Sequence, residues 1–168
     1  TISVIDPLAN TTSVLTVGYG NGLFEFNARL NSINQFGQAK AESWDYVKQA
    51  MNSSAAAPTY AGPGNLSTQK LAAVIGLAAY QLQTSASLSN ATLTDLAKAE
   101  IKKSELAKIQ GHAKTQGTSL AVPAACITMQ GLGDRFNGDY FISGVTQTLS
   151  DGNWFTSFRL GLPLNWNI

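Results

Sequence analysis

Asp151-Gly152 separates two β-type runs, residues 140–149 and 154–162, inside the turn Ser150-Asp151-Gly152-Asn153. Both central positions of a two-residue hairpin turn need φ > 0, which Asp and Gly supply at little cost, so the pair predicts a hairpin. A second β signal lies near the start. Phe24, Phe26, Ala28 and Leu30 alternate with Glu25, Asn27, Arg29 and Asn31, a period of two that predicts a strand with one wet face. Residues 34–38 read as a turn, and residues 39–44 as the partner of that strand.

The period changes in the middle of the chain. Residues 52–65 carry three consecutive alanines, two prolines and two glycines without periodicity, and read as a linker. Leu71, Val74, Ile75, Ala78, Ala79 and Leu82 then mark one helix face, with Ser67 as its N-cap. A second helix is expected over residues 93–109, where Thr92 and Asp95 form a capping box. Lys102, Lys103 and Lys108 would suit its C-terminal dipole and Gly111 would close it. From His112 the chain returns to β-structure. The expected organisation is a single domain in four parts: a β-segment at 1–51, a linker at 52–66, a helical insertion at 67–110 and a completing β-segment at 111–168.

Composition narrows the function classes. With 168 residues the chain is long enough for one real core. A net charge of +1, with lysines diluted along the helical region, gives no footprint for a polyanion, so no nucleic-acid partner is expected. Charged residues make up only 12%, about half the usual share, so part of the surface is expected to be covered in the working state. No apolar run reaches the roughly 18 residues of a membrane helix, and no membrane insertion is expected. The opening Thr1-Ile2-Ser3-Val4-Ile5-Asp6 shows neither an initiator Met nor a signal peptide, and reads as a piece of something longer.

Candidate chemistry is sparse. His112 is the only histidine and reads as an exposed cap at a helix end, and no CxxC or HExxH is present to hold zinc. Ser67-Thr68-Gln69-Lys70 matches the SxxK nucleophile motif, but it lacks the accompanying SDN and KTG, since 114–117 reads Lys-Thr-Gln-Gly. An N-cap followed by an exposed lysine accounts for it. Asp134 and Asp139 flank Arg135 in a Gly-rich loop where turn chemistry already favours Asp. Gly18, Gly20 and Gly22 precede a strand rather than a helix, which argues against a phosphate cradle. Cys126 sits in an apolar run and reads as a small buried hydrophobe. Asn10, Asn52, Asn65 and Asn90 begin chance sequons. Phe136, Tyr140, Phe141 and Trp154 could stack sugars, although aromatics around a hairpin more often form core. No catalytic, cofactor-binding or metal-binding residue is assigned, and no cofactor is expected.

Two stretches carry a family likeness. Phe136-Asn137-Gly138-Asp139-Tyr140-Phe141-Ile142-Ser143-Gly144-Val145 followed by Gly152-Asn153-Trp154-Phe155-Thr156-Ser157-Phe158 resembles the ending of VgrG-type spike-hub proteins of type VI secretion, which are similar to contractile phage tail hubs. Asn21-Gly22-Leu23-Phe24-Glu25-Phe26-Asn27-Ala28, then Ala41-Glu42-Ser43-Trp44-Asp45-Tyr46 and Gln49, resembles an earlier segment of that family. The helix over residues 96–111 fits between them. The family commonly has His where this chain has Gln147, and an apolar "pG" pair where Val122-Pro123-Ala124 stands.

The resemblance implies an α+β fold: an antiparallel β-barrel-like, phage tail hub or tube-like domain with a helical insertion. It implies a non-enzymatic structural hub that joins tube to spike as a homotrimer. The implied partners are a hexameric tube protein, baseplate components and spike or effector domains. The implied location is the bacterial cytoplasm, with export by contractile injection. Two other classes compete. One is a carbohydrate-binding β-module using Trp44, Trp154 or Tyr140; the other is a hydrolase built on Ser67 or His112. The middle helices count against the first, since sugar-binding sandwiches are typically all-β, and the second lacks an assembled constellation. Trp44 turned toward core or a subunit contact would favour the hub. The hub reading also requires residues 24–30 and the final hairpin to share one barrel, and expects long unprotected edge strands in an isolated chain.

Overall fold

A computed structural model describes residues 6–9 and 11–163. The chain divides into two compact units, one of residues 1–31, 62–66 and 106–168, the other of residues 32–61 and 67–105.

The first unit is a closed six-stranded barrel. In chain order its strands are β1 (Ser13–Tyr19), β2 (Gly22–Leu30), β6 (Ile109–Gln116), β7 (Cys126–Gln130), β8 (Gly138–Ser150) and β9 (Asn153–Leu160), arranged β1-β2-β6-β9-β8-β7. The Asp-Gly hairpin forms as its sequence demands: Leu149 pairs with Trp154 and Ser150 with Asn153, across Asp151 at φ 50° and Gly152 at φ 75°. The alternating strand lies in the same barrel, antiparallel to β6 from Leu23–Thr115 to Leu30–Ile109. Its partner is therefore β6 and not residues 39–44. Closure is parallel rather than antiparallel, because β1 runs alongside β7. Gly18 makes that approach possible, since a Cβ there would lie 2.7 Å from Gln130 O.

Inward-facing residues of all six strands form one core. Val17, Leu23, Ala113, Ile127, Met129, Tyr140, Ile142, Phe158 and Leu160 are buried together, with Phe26 and Phe136 packed against them. The Phe26 ring meets Phe136 and Tyr140 edge-on, each at 6.0 Å between centroids. The Tyr140 hydroxyl, deep in this apolar setting, donates to Phe136 O at 2.6 Å, as a buried phenol must find an acceptor.

The second unit is a three-stranded sheet, β4-β3-β5, with helices. Its elements are β3 (Ala39–Asp45), β4 (Ala50–Ala56), α1 (Thr68–Ile75), β5 (Tyr80–Thr84) and α2 (Asn90–Leu106). Small residues on one face of β3, Ala39 and Ala41, admit Leu93, Ala97 and Ile101 of α2, and Phe36 completes the cluster. Phe36 also stacks on Tyr80 at 4.9 Å.

Several boundaries differ from the sequence expectation. Residues 50–56 form a strand on β3, so part of the expected linker is sheet. Helix α1 has its N-cap at Ser67, whose hydroxyl accepts from Lys70 N, but it stops at Gly76. Gly76 takes φ 81° and its N–H returns to Ala72 O, which leaves Tyr80-Gln81-Leu82-Gln83-Thr84 free to pair in parallel with β3. Helix α2 starts from Ser89, which accepts Thr92 N through its hydroxyl and Leu93 N through its carbonyl, ahead of the expected Thr92. It ends at Leu106, so Lys108 is not in its last turn but buried, donating to Leu66 O. Gly111 is a strand residue rather than a helix terminator. Of the expected unprotected edges, β4 and β5 flank the three-stranded sheet, while the barrel is closed.

A tight turn follows β3. Asp45 Oδ1 accepts the N–H groups of Val47 and Lys48 at 3.0 and 3.1 Å. The Lys48 N–H first, then the Val47 N–H and the Lys48 charge, hold the Asp45 carboxyl below its ordinary range against the opposing effect of burial. A carboxylate with a lowered folded-state pKa stabilises above its unfolded value of about 3.9 and loses that contribution as pH falls through the folded value. The stability gap between wild type and Asp45→Asn is therefore expected to shrink between about pH 5 and pH 2. Thermal melts at steps across that window check it, and a pH-independent gap would refute it.

Candidate functional site

The final hairpin projects the chain's distinctive surface, and its base is tied by one side chain. Gln147 Oε1 accepts from Trp154 Nε1–H at 2.9 Å and from the Thr156 hydroxyl at 2.7 Å, while its Nε2 donates to Thr118 O at 2.9 Å. Thr118 N in turn donates to Thr156 Oγ1 at 2.9 Å. The indole ring lies where Gly117 has no side chain, since a Cβ there would fall 2.1 Å from Trp154 Cδ2. Beyond this knot Leu149 is 79% exposed and Trp154 40%, so the hairpin ends in an open apolar surface.

Gln147→Ala removes three bonds at once, and Gly117→Ala evicts the indole. Both are expected to release the Trp154 Nε1 proton to solvent exchange and to cost about 1–3 kcal/mol. Exchange of the indole resonance in NMR spectra is the check, and unchanged protection in both variants would contradict this role for the knot.

The outer wall of the barrel crosses β2, β6, β9 and β8. A register shift between Leu23 and Glu25 brings Phe24 out to meet Phe155 edge-on at 5.7 Å. Lys114 Nζ lies 4.3 Å above the Phe155 ring, a cation–π contact. Next along β6, His112 Nε2 and Glu25 Oε1 are 2.9 Å apart, both side chains about half exposed. His112 pairs across the sheet with Arg159, and Arg159 with Gly144. A groove of about 260 Å³ opens there.

The remaining sequence candidates are dispersed. His112 is a strand residue engaged with Glu25, not a helix cap. Ser67 Oγ is occupied as the α1 cap. Asp139 accepts the Thr128 hydroxyl on the barrel, while Asp134 contributes its backbone carbonyl to Asn65 N. Cys126 is fully buried, and burial first, then the nearby Asp139 charge, pushes its thiol pKa up, the opposite of a reactive thiolate. Tyr140 belongs to the barrel core and Phe136 packs against it, while Phe141 is buried. Trp44 is 40% exposed on the sheet face opposite α2, turned away from the core of its unit. Asn52 donates to Leu88 O, and Asn10 lies outside the described residues. Among the described residues no three His, Cys, Asp or Glu side chains cluster as metal ligands. Among them, too, no helix is long and apolar enough to cross a membrane.

Sequence reasoning missed Glu25, Arg159 and the knot around Gln147. The outward positions of the alternating strands were readable, but which of them become neighbours depends on register between segments far apart in the chain.

Comparison with known proteins adds three findings. Residues 1–151 match the family model described as the Alg8 N-terminal domain. No curated protein matches the chain. Among solved structures, the chain superposes on the 43 kDa tail protein of prophage MuSo2 from Shewanella oneidensis, with TM-score 0.63 and 8% identity over 94% of this chain and 46% of that one. It also superposes on a tail protein from Neisseria meningitidis MC58, with TM-score 0.55 and 14% identity over 90% of this chain and 44% of that one. The fold is thus a phage-tail-protein fold, and the chain spans less than half the length of either neighbour.

Proposed function

We propose that this chain, which belongs to the Alg8 N-terminal domain family, is a non-enzymatic structural part of a contractile injection machine. Its role in this reading is that of a VgrG-type hub, joining tube to spike within a homotrimer. The observation that carries the reading is the single closed barrel: the alternating strand β2 and the hairpin β8–β9 share one core, as the resemblance required. The quoted motifs fall on β2, β3, β8 and β9, elements of the two sheets. By fold-level analogy alone, the tail-protein fold is in keeping with assembly and load-bearing.

The partners in this reading are two further copies, a hexameric tube protein, baseplate components and a spike or effector domain. The machine assembles in the bacterial cytoplasm and exports the hub by contraction. The exposed hairpin end and the aromatic outer wall are the surfaces available for such contacts. Co-sedimentation of the chain with assembled hexameric tube protein tests the proposal. Retention with the tube is the expected result. Loss of the chain to the supernatant, together with saturable binding of an oligosaccharide at Trp44 or Trp154, would instead favour the carbohydrate-binding alternative, which the partial exposure of those two residues keeps in view.

A further inference from the structure

We propose that the groove over Gly144 on the outer barrel wall is a binding site for a carboxylate side chain of a partner protein. The inference rests on reading the chain as an assembly component and names the chemistry of one of its contacts. Four basic side chains, Arg29, His112, Lys114 and Arg159, lie on adjacent strands of this wall, and two of them are already engaged. His112 faces Glu25, and Lys114 lies over Phe155. Arg159 is exposed and makes no side-chain hydrogen bond or ion pair among the described residues. A guanidinium presents a planar fork of donors that matches a carboxylate in a two-bond geometry.

The backbone beneath it makes room for a guest. A register shift between Ile142 and Gly144 inserts Ser143 as an extra residue, and its hydroxyl donates to Arg159 O. Gly144, opposite Arg159, has no side chain to fill the space, and even a Cβ there would only just touch the Arg159 side chain at 3.7 Å. Thr146 and Ser157, a cross-strand pair, bring two hydroxyls to the same groove. At about 260 Å³ the groove falls below the range of about 300–1,000 Å³ typical of small-molecule pockets, and suits a single acidic side chain.

Charge complementarity selects the occupant. The chain as a whole is nearly balanced, with 11 Lys and Arg against 10 Asp and Glu. Around the groove this wall sets Arg29, His112, Lys114 and Arg159 against Glu25, with Asp139 at the far end of β8 beside β7. Phe24, 54% exposed, and Phe155 flank the groove with apolar surface, so the fitting segment carries an acid beside an apolar residue.

The test is an NMR titration of the isotope-labelled chain with the capped peptide acetyl-Leu-Glu-Leu-amide and its Gln counterpart. The expected result is a saturable shift of the Arg159 Nε–H and of the Gly144 and Ser157 amides with the Glu peptide. Binding is expected to be about tenfold weaker with the Gln peptide, and about tenfold weaker in Arg159→Gln, an exposed substitution that leaves the fold intact. Equal response to both peptides, or full response in Arg159→Gln, overturns the site. Tighter binding of inorganic phosphate than of the Glu peptide overturns it in favour of a free anion. Movement of the same resonances with protein concentration alone overturns the partner assignment in favour of a second copy. Tube co-sedimentation separates the two proposals: retention on the tube without peptide binding removes only this site, and peptide binding without retention removes only the hub reading.

Discussion

Gly161→Ala is expected to destabilise the barrel by about 3–4 kcal/mol, because two penalties coincide at one residue. Gly161 takes φ 69°, in the left-handed region, and a Cβ there would fall 2.2 Å from Ile109 O and 2.9 Å from Leu106 O. Both obstacles are backbone carbonyls, so no side chain can swing aside. The Gly161 N–H donates to Phe141 O and the Leu162 N–H to Leu106 O, which pins the end of β9 from two sides. Gly152→Ala supplies the control. Gly152 has a similar φ of 75° but nothing within 4 Å of the place a Cβ would take, so it is expected to cost only about 1 kcal/mol. Denaturant unfolding of the two variants measures the difference. Equal losses would show that the close approach of β9 to β6 has been misread.

The second large effect is expected at Gln35, which is fully buried in the helix-bearing unit. Its Nε2 donates to Ser104 O at 2.7 Å and its Oε1 accepts from the Thr68 hydroxyl at 2.9 Å. Ser104 Oγ closes the knot by donating to Asn34 O at 2.7 Å. One amide thus joins the loop before β3, the first turn of α1 and the last turn of α2. Gln35→Leu keeps the approximate volume but leaves a carbonyl and a hydroxyl without their partner, at an expected cost of about 2–4 kcal/mol. Amide hydrogen exchange should show the loss first in α1 and α2. A cost below about 0.5 kcal/mol would mean that the knot is not a structural node.

How much of this was legible in the sequence depends on how local the signal is. The hairpin was legible because Asp151-Gly152 determines its own turn geometry, and β2 because its alternation fixes which face is buried. The partner of β2 was not. Residues 39–44 look like a partner strand by proximity, yet β6, far along the chain, takes the place, since periodicity specifies a face and not a neighbour. Residues 52–56 hid as a strand because Asn, Ser and Ala carry little β preference, and their pairing with β3 decides the matter. Helical spacing ran on through Ala78 and Leu82 because the apolar pattern ignores Gly76, whose left-handed conformation ends the helix. At the candidate site, Gln147 was visible only as a departure from a family pattern. Its three bonds reach Thr118, Trp154 and Thr156, which come together only when the barrel forms. Arg159 drew no notice for the same reason: what marks it is the glycine and the engaged histidine beside it on other strands.

The central claim, that this chain is an assembling hub component, is tested most directly by its solution mass. Light scattering across about a hundredfold range of concentration is the measurement, since association driven by mass action must depend on concentration. The expected result is a mass that rises with concentration toward three times that of the single chain. A strict monomer at every concentration, together with no retention on tube protein, would contradict the claim.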